Sequence, residues 1–137
     1  NGHAEPLRLL IEAKADVDKA KTDTGATPTV IAAQKGHAEP LRLLIEAKAD
    51  VDKARTDDGV TPTFFAAQEG HAELLRLLIE AKADVDKAKT DTGATPTFIA
   101  AQYGHAEPLR LLIEAKADVD KAKTDTGQTP IQIAQMF

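Results

Sequence analysis

The segment Thr61–Ala94 reads TPTFFAAQEGHAELLRLLIEAKADVDKAKTDTGA, and near-copies of it fill the chain. The phrase Gly-His-Ala-Glu marks the period, because it begins at Gly2, Gly36, Gly70 and Gly104, always 34 residues apart. A fixed period of this length indicates a solenoid, in which each unit packs mainly against its neighbours. Identical residues spaced evenly along a solenoid do not converge on one point, so the period disfavours an enzyme.

Each unit is predicted to contain two helices followed by a loop. Thr61 and Pro62 are a favourable N-cap and first helical residue, and residues 63–69 follow as a short helix. Residues 72–81 predict a longer amphipathic helix, since their leucines and isoleucine recur at helical spacing. Residues 82–93 lack that spacing and are rich in turn-forming residues, so they predict an extended loop. The fold class is therefore all-α.

The composition disfavours several classes of function. The chain has the length of one domain, with 137 residues, and its net charge of −5 disfavours a nucleic-acid surface. No apolar run approaches the roughly 20 residues that cross a bilayer. Serine and cysteine, the two commonest nucleophiles, are absent. Because the chain also shows no signal peptide, we expect it to be cytoplasmic or otherwise intracellular.

The four histidines, His3, His37, His71 and His105, are the candidate metal ligands. They recur once per unit, and packed helices lie about 8–10 Å apart, whereas zinc holds its ligands at about 2.0–2.1 Å. We therefore expect each histidine to cap or pack the start of the second helix rather than to bind metal. The aspartates lack the spacing of a calcium loop and the glycines fall singly, so no metal and no cofactor is predicted.

Five features of the unit resemble the ankyrin repeat in order and spacing. They are Gly59-Val60-Thr61-Pro62, Ala66-Ala67, Gly70-His71, Leu77-Leu78 and Ala83-Asp84-Val85. The tetratricopeptide repeat has the same period, but its Trp and Gly-Tyr landmarks are missing here. The resemblance implies an ankyrin-repeat solenoid of stacked helix-turn-helix units with projecting hairpin-like loops. It also implies non-catalytic protein–protein recognition on a concave face made of these loops and the first helices.

The unit departs from the ankyrin repeat at several positions, starting with a period of 34 residues instead of the usual 33. The glycine that usually ends the second helix is replaced by lysine, which must then take a left-handed or otherwise unusual backbone at a cost on the order of 1 kcal/mol. The lysines in question are Lys48, Lys82 and Lys116. The histidine that usually links neighbouring loops is replaced by Val30, Phe64 and Phe98.

The period divides residues 1–137 into one domain with five parts. Three full repeats, 27–60, 61–94 and 95–128, lie between the half-repeats 1–26 and 129–137. The first half-repeat supplies only a second helix and the last supplies only a first helix, so apolar side chains are expected to be exposed at both ends. We expect these open ends to allow head-to-tail self-association of molecules.

The copies differ at few positions, and these positions are the candidates for partner binding. Between residues 27–60 and 61–94, 27 of 34 positions are identical and 7 differ. Most differences fall in the first helix or the loop, the regions that form the binding face in the resembled family. The predicted partner-binding residues are Val30, Lys35, Arg55, Asp58, Val60, Phe64, Glu69, Lys89, Thr92, Phe98 and Tyr103. Phe64 and Phe98 are alternatively core residues.

Two functions follow from these observations. The first is a scaffold that binds a protein partner of unknown identity through the first helices and loop tips. The alternative is a structural, designed or consensus-like repeat array without a natural ligand, which self-associates through its open ends. Neither function involves an enzyme, a nucleic acid or a membrane.

Overall fold

The computed structural model describes residues 4–137, and within them every regular element is an α-helix. The helices are α1 Ala4–Glu12, α2 Pro28–Lys35, α3 Ala38–Glu46, α4 Pro62–Gln68, α5 Ala72–Glu80, α6 Pro96–Gln102, α7 Ala106–Glu114 and α8 Pro130–Ala134. The all-α prediction is confirmed. His3 lies outside the described residues.

The helices form two layers that follow the period. The first helices α2, α4, α6 and α8 pack side by side in one layer, and the second helices α1, α3, α5 and α7 pack side by side in the other. The first helices α2, α4 and α6 also pack against the second helices that follow them in the chain. Between the layers lie buried leucines such as Leu75 and Leu78, together with alanines such as Ala66 and Ala100 that let the first helices approach closely. This is the predicted solenoid of stacked helix pairs.

Each first helix begins in the same way. A threonine takes extended backbone at the N-cap, and its side-chain oxygen accepts a hydrogen bond from the backbone N–H three residues later, for example from Phe64 to Thr61 at 3.1 Å. Proline occupies the first helical position, where an N–H has no partner within the helix. The Thr-Pro pair therefore fixes the start of the first helix in every repeat.

The loop before each first helix closes as a short hairpin, which we call a finger. The fingers comprise residues 21–26, 55–60, 89–94 and 123–128. In the second of these, Arg55 N–H donates to the Val60 carbonyl and Gly59 N–H donates to the Arg55 carbonyl, both at 2.9 Å. Neighbouring fingers are joined as well, since Thr90 N–H donates to the Asp58 carbonyl at 3.0 Å. The fingers thus form one continuous row along the solenoid.

Lysine ends each second helix in the left-handed conformation. Lys48, Lys82 and Lys116 have φ values of 66°, 67° and 66°, and Lys14 has 68°. The prediction made for the first three is confirmed. Because a side chain with a Cβ is strained in this region by roughly 1–2 kcal/mol, each repeat carries a local conformational cost at the same place.

Replacing Lys82 by glycine is expected to raise the free energy of unfolding by about 1 kcal/mol, because glycine adopts φ near 67° without the Cβ clash. Urea denaturation followed by circular dichroism measures the change. The control is Lys82→Ala, which removes the same side chain but keeps the Cβ. If Lys82→Ala stabilises the protein as much as Lys82→Gly, backbone strain is not the cause.

Polar side chains of the second helices and of the loops that follow them also tie each repeat to the next. Asp52 Oδ1 accepts a hydrogen bond from Asp84 N–H at 2.8 Å, and Lys87 Nζ donates to the Asp52 carbonyl at 3.0 Å. On the second helices, Arg76 lies 3.6 Å from Glu107 of the following repeat. These exposed contacts recur with the period, so they keep the repeats in register and contribute little stability individually.

A buried threonine hydroxyl has no partner in three successive first helices. Within the described residues, the Oγ1 atoms of Thr29, Thr63 and Thr97 are buried and make no hydrogen bond. A buried hydroxyl without a partner destabilises a fold by roughly 1–3 kcal/mol. These three positions are therefore weak points of the core.

Replacing Thr63 by valine is expected to raise the free energy of unfolding by about 1 kcal/mol, since valine has nearly the same shape and no unpaired hydroxyl. The matched control is Thr61→Val two residues earlier, where the hydroxyl oxygen caps α4. Loss of that cap should destabilise the protein by about 1 kcal/mol. Urea midpoints that shift in the same direction for both variants would contradict the assignment of the two hydroxyls.

Candidate protein-binding face

A groove opens where the fingers meet the first helices. Its floor is formed by the first-helix segments of repeats 61–94 and 95–128, and its rim by residues of two fingers. The floor residues are Phe64, Gln68, Phe98, Gln102 and Tyr103. The rim residues are Lys89, Thr92 and Lys123. The groove has a volume of about 210 Å³, which is below the roughly 300–1,000 Å³ of typical small-molecule pockets. It is therefore sized for single side chains of a larger partner.

Four of the predicted partner-binding residues belong to the core. Val30, Val60, Phe64 and Phe98 are exposed by at most 2 %. All four belong to the buried cluster of the core, Val60 at the end of a finger and the others on first helices, so a change there repacks the interior. A partner cannot touch side chains without exposed surface, and these four positions are corrected to core positions. For Phe64 and Phe98, this agrees with the core alternative.

The predicted polar residues of the fingers are half-buried, and their polar groups already have partners within the molecule. Lys89 Nζ lies 3.6 Å from Asp91 and 5.9 Å from the centre of the Phe64 ring, and Lys123 Nζ lies 3.4 Å from Asp125 and 5.4 Å from the Phe98 ring. The cations thus cover the aromatic floor of the groove. Thr92 also has a partner, since its backbone carbonyl accepts a hydrogen bond from the next finger at 3.0 Å.

Arg55 and Asp58 form an ion pair inside one finger. Arg55 Nε donates to Asp58 Oδ1 at 3.2 Å, and its guanidinium lies over the Phe65 ring. Burial raises the pKa of Asp58, but the hydrogen bonds from Arg55 and from Val60 N–H outweigh burial and leave the pKa below its usual value. Because the folded-state pKa is lowered, this pair stabilises the finger above the usual aspartate pKa, and the contribution is lost as the pH falls through the lowered value.

Three predicted residues are exposed and occupy one position of the period. Lys35, Glu69 and Tyr103 each follow the glutamine near the end of the first helix, and all three are exposed. Tyr103 lines the groove, with 52 % of its surface exposed, and its ring packs edge-on against His105 at 6.3 Å. Within residues 4–137, neither Lys35 nor Glu69 takes part in a salt bridge.

Comparison of the copies missed two glutamines of the groove because they do not vary between the full repeats. Gln68 and Gln102 line the floor. The glutamine is the same in each full repeat, so only its position beside the variable residue 35, 69 or 103 could have revealed it.

Two of the histidines link repeats. The N-cap histidines His37, His71 and His105 make no side-chain cap hydrogen bond. The ring of His71 instead lies 3.0 Å from the Ala33 carbonyl, and the ring of His105 lies 2.9 Å from the Gln68 carbonyl. Both carbonyls belong to the end of the first helix in the preceding repeat, where carbonyls lack helical partners. Of the two expected roles, capping is wrong, and the rings of His71 and His105 pack between repeats.

The described residues offer no metal centre and no membrane span. Across residues 4–137, no three histidine, aspartate or glutamate side chains come close enough to hold a metal ion. None of the helices in that part of the chain has the length and apolar character needed to cross a bilayer.

Comparison with protein families agrees with the architecture. A model described as ankyrin repeats in three copies matches residues 1–89, and a model of a single ankyrin repeat matches residues 92–124. A search of curated proteins found no match. The family matches cover most of the chain and coincide with stacked helix pairs joined by fingers. The chain therefore belongs to the ankyrin-repeat family.

Proposed function

We propose that this chain is a protein-binding scaffold whose partner lies along the face formed by the fingers and the ends of the first helices. Ankyrin repeats are generally non-enzymatic protein-interaction modules. The observation that carries the proposal is the position of Lys35, Glu69 and Tyr103. They are exposed, they differ in chemistry, and they stand on a scaffold that is otherwise nearly constant.

The groove beside Tyr103 supports the same face. Aromatic side chains are enriched among the residues that dominate binding energy at interfaces, and Tyr103 presents an exposed ring beside the amides of Gln68 and Gln102. The joined fingers hold the rim in place, since each finger after the first donates a backbone hydrogen bond to the finger before it. A partner therefore meets a preorganised surface, which lowers the entropy lost on binding.

The test is loss of binding by the double variant Lys35→Ala/Tyr103→Ala. A ligand is first selected from a displayed library of random peptides, and its affinity is measured by isothermal titration calorimetry. We expect the double variant to weaken binding by at least tenfold. The control is Glu46→Ala/Glu80→Ala on the second helices, which should bind as the unchanged chain does. A ligand that loses affinity only in the control would place binding on the other face.

We infer a second candidate function, self-association, from the end surfaces of the solenoid. Ile131 and Phe137 at one end and Leu9 and Leu10 at the other expose more than half of their surface, with values of 64, 86, 57 and 57 %. A Cβ placed on Gly127 meets nothing within 4 Å, whereas one on the equivalent Gly93 would touch Thr124 of the next finger. These surfaces fit a further repeat, supplied by a second molecule or by the same polypeptide.

Sedimentation velocity of the 137-residue chain over a range of concentrations tests self-association. We expect reversible oligomers, and we expect Ile131→Asp to shift the equilibrium to monomers because it places a charge on the exposed end surface. A chain that stays monomeric at every concentration would rule out this second candidate.

A further inference from the structure

The charges on the proposed binding face fall into two groups. The finger cations Lys89, Lys123 and Arg55 are each satisfied by an aspartate of the same finger. Lys35 and Glu69 differ from them, because neither takes part in a salt bridge with any other residue that the structure describes. The charged side chains of this face that lack a salt bridge among the described residues therefore include two at the same position of the period.

At that position, three successive repeats carry a cation, an anion and an aromatic side chain. Lys35 ends α2, Glu69 follows α4 and Tyr103 follows α6, and these first helices pack in that order. At some other positions the copies exchange similar residues, such as Arg55 for Lys89 or Ile31 for Phe65. At this position the three residues belong to three chemical classes.

The usual spacing of packed helices matches an extended polypeptide in the polyproline II conformation. Neighbouring packed helices lie about 8–10 Å apart, and a polyproline II segment advances about 3.1 Å per residue with three residues per turn. Every third residue of such a segment therefore points to the same side and meets the next repeat. Such a segment, laid along the ends of the first helices, would present its first, fourth and seventh side chains to Lys35, Glu69 and Tyr103.

We propose that the partner is an extended protein segment that presents an acidic, a basic and an apolar or aromatic side chain, in that order from Lys35 to Tyr103 and three residues apart. This proposal rests on the proposed function and adds the chemistry of the partner. The acidic residue pairs with Lys35 and the basic residue with Glu69. The apolar residue packs on the exposed ring of Tyr103, beside the groove of about 210 Å³.

The order of charges can be reversed without changing the net charge. The variant Lys35→Glu/Glu69→Lys exchanges the two charges, and both side chains are exposed and outside the core, so the fold should be kept. Circular dichroism and a urea melt that match the unchanged chain verify this. The two proteins then differ only in the order in which a partner meets positive and negative charge.

The experiment selects peptides from one displayed library of random nine-residue sequences against both proteins. We expect the peptides that bind the unchanged chain to carry an acidic and a basic residue three apart, and those that bind the variant to carry them in the opposite order. Cross-measurement with synthetic peptides should give a two- to fivefold preference per exposed ion pair. A third selection, against Tyr103→Ala, should lose the apolar residue at the seventh position.

The outcomes of the selections distinguish failure of the inference from failure of the proposed function. Peptides enriched equally by both proteins, without reversal of charge order, would overturn the inference and leave the binding function standing. No enrichment by any of the proteins would contradict the proposed function itself, and the inference with it. Reversal in the exchanged variant supports both.

Discussion

Replacing Gly59 by alanine is expected to lower the free energy of unfolding by about 3 kcal/mol. Gly59 has φ +75°, where a Cβ costs roughly 1–2 kcal/mol. That Cβ would also lie 2.6 Å from Thr90 Cγ2 and 2.8 Å from the backbone nitrogen of Thr90 in the next finger. Overpacking adds roughly 1–3 kcal/mol, and the shift disturbs the hydrogen bond from Thr90 N–H to the Asp58 carbonyl. Chemical denaturation measures the loss.

Gly127 provides the matched control for this variant. It has nearly the same backbone, with φ +71°, but a Cβ placed on it meets nothing within 4 Å. Gly127→Ala should therefore cost only the conformational part, about 1 kcal/mol. The difference between the two variants isolates the contact between neighbouring fingers. Equal losses would show that the fingers do not touch in solution.

Phe98→Ala is expected to lower the free energy of unfolding by about 3–5 kcal/mol, because it empties a site that is only 1 % exposed at the centre of the first-helix layer. The expected loss is a loss of packing, and any loss of binding would follow from unfolding. Thermal or urea denaturation measures it.

The comparison variant is Tyr103→Ala in the same helix segment. Its side chain is 52 % exposed, so its removal should change stability by no more than about 0.5 kcal/mol. In the proposed function it should instead weaken partner binding. If Phe98→Ala proved harmless to stability while Tyr103→Ala unfolded the protein, the assignment of core and surface in α6 would be reversed.

The fold was largely predictable because its signals are local and repeated. The Thr-Pro cap, the glycine after the first helix and the amphipathic second helix set the helix starts within about two residues. The left-handed lysines followed from the position where ankyrin repeats usually have glycine, and the φ values near 67° agree with that prediction.

The candidate site was predictable only in part. Copies of the repeat vary both at exposed positions and at buried positions of the core, and the sequence alone does not distinguish the two. Val30 and Phe64 differ between copies but lie in the buried core, so their exchange changes packing and not the surface. The histidine contact was missed for a related reason. The acceptor for His71 is the carbonyl of Ala33, in the preceding repeat, so local spacing suggested a helix cap.

We propose that the exposed variable positions of this nearly constant scaffold mark one binding face. Backbone amide chemical-shift mapping of the ¹⁵N-labelled chain with a selected peptide is the direct test. We expect the shifts to cluster at the ends of α2, α4 and α6, around Lys35, Glu69 and Tyr103, and in the fingers 55–60 and 89–94. Shifts confined to the second helices α3, α5 and α7 would contradict it.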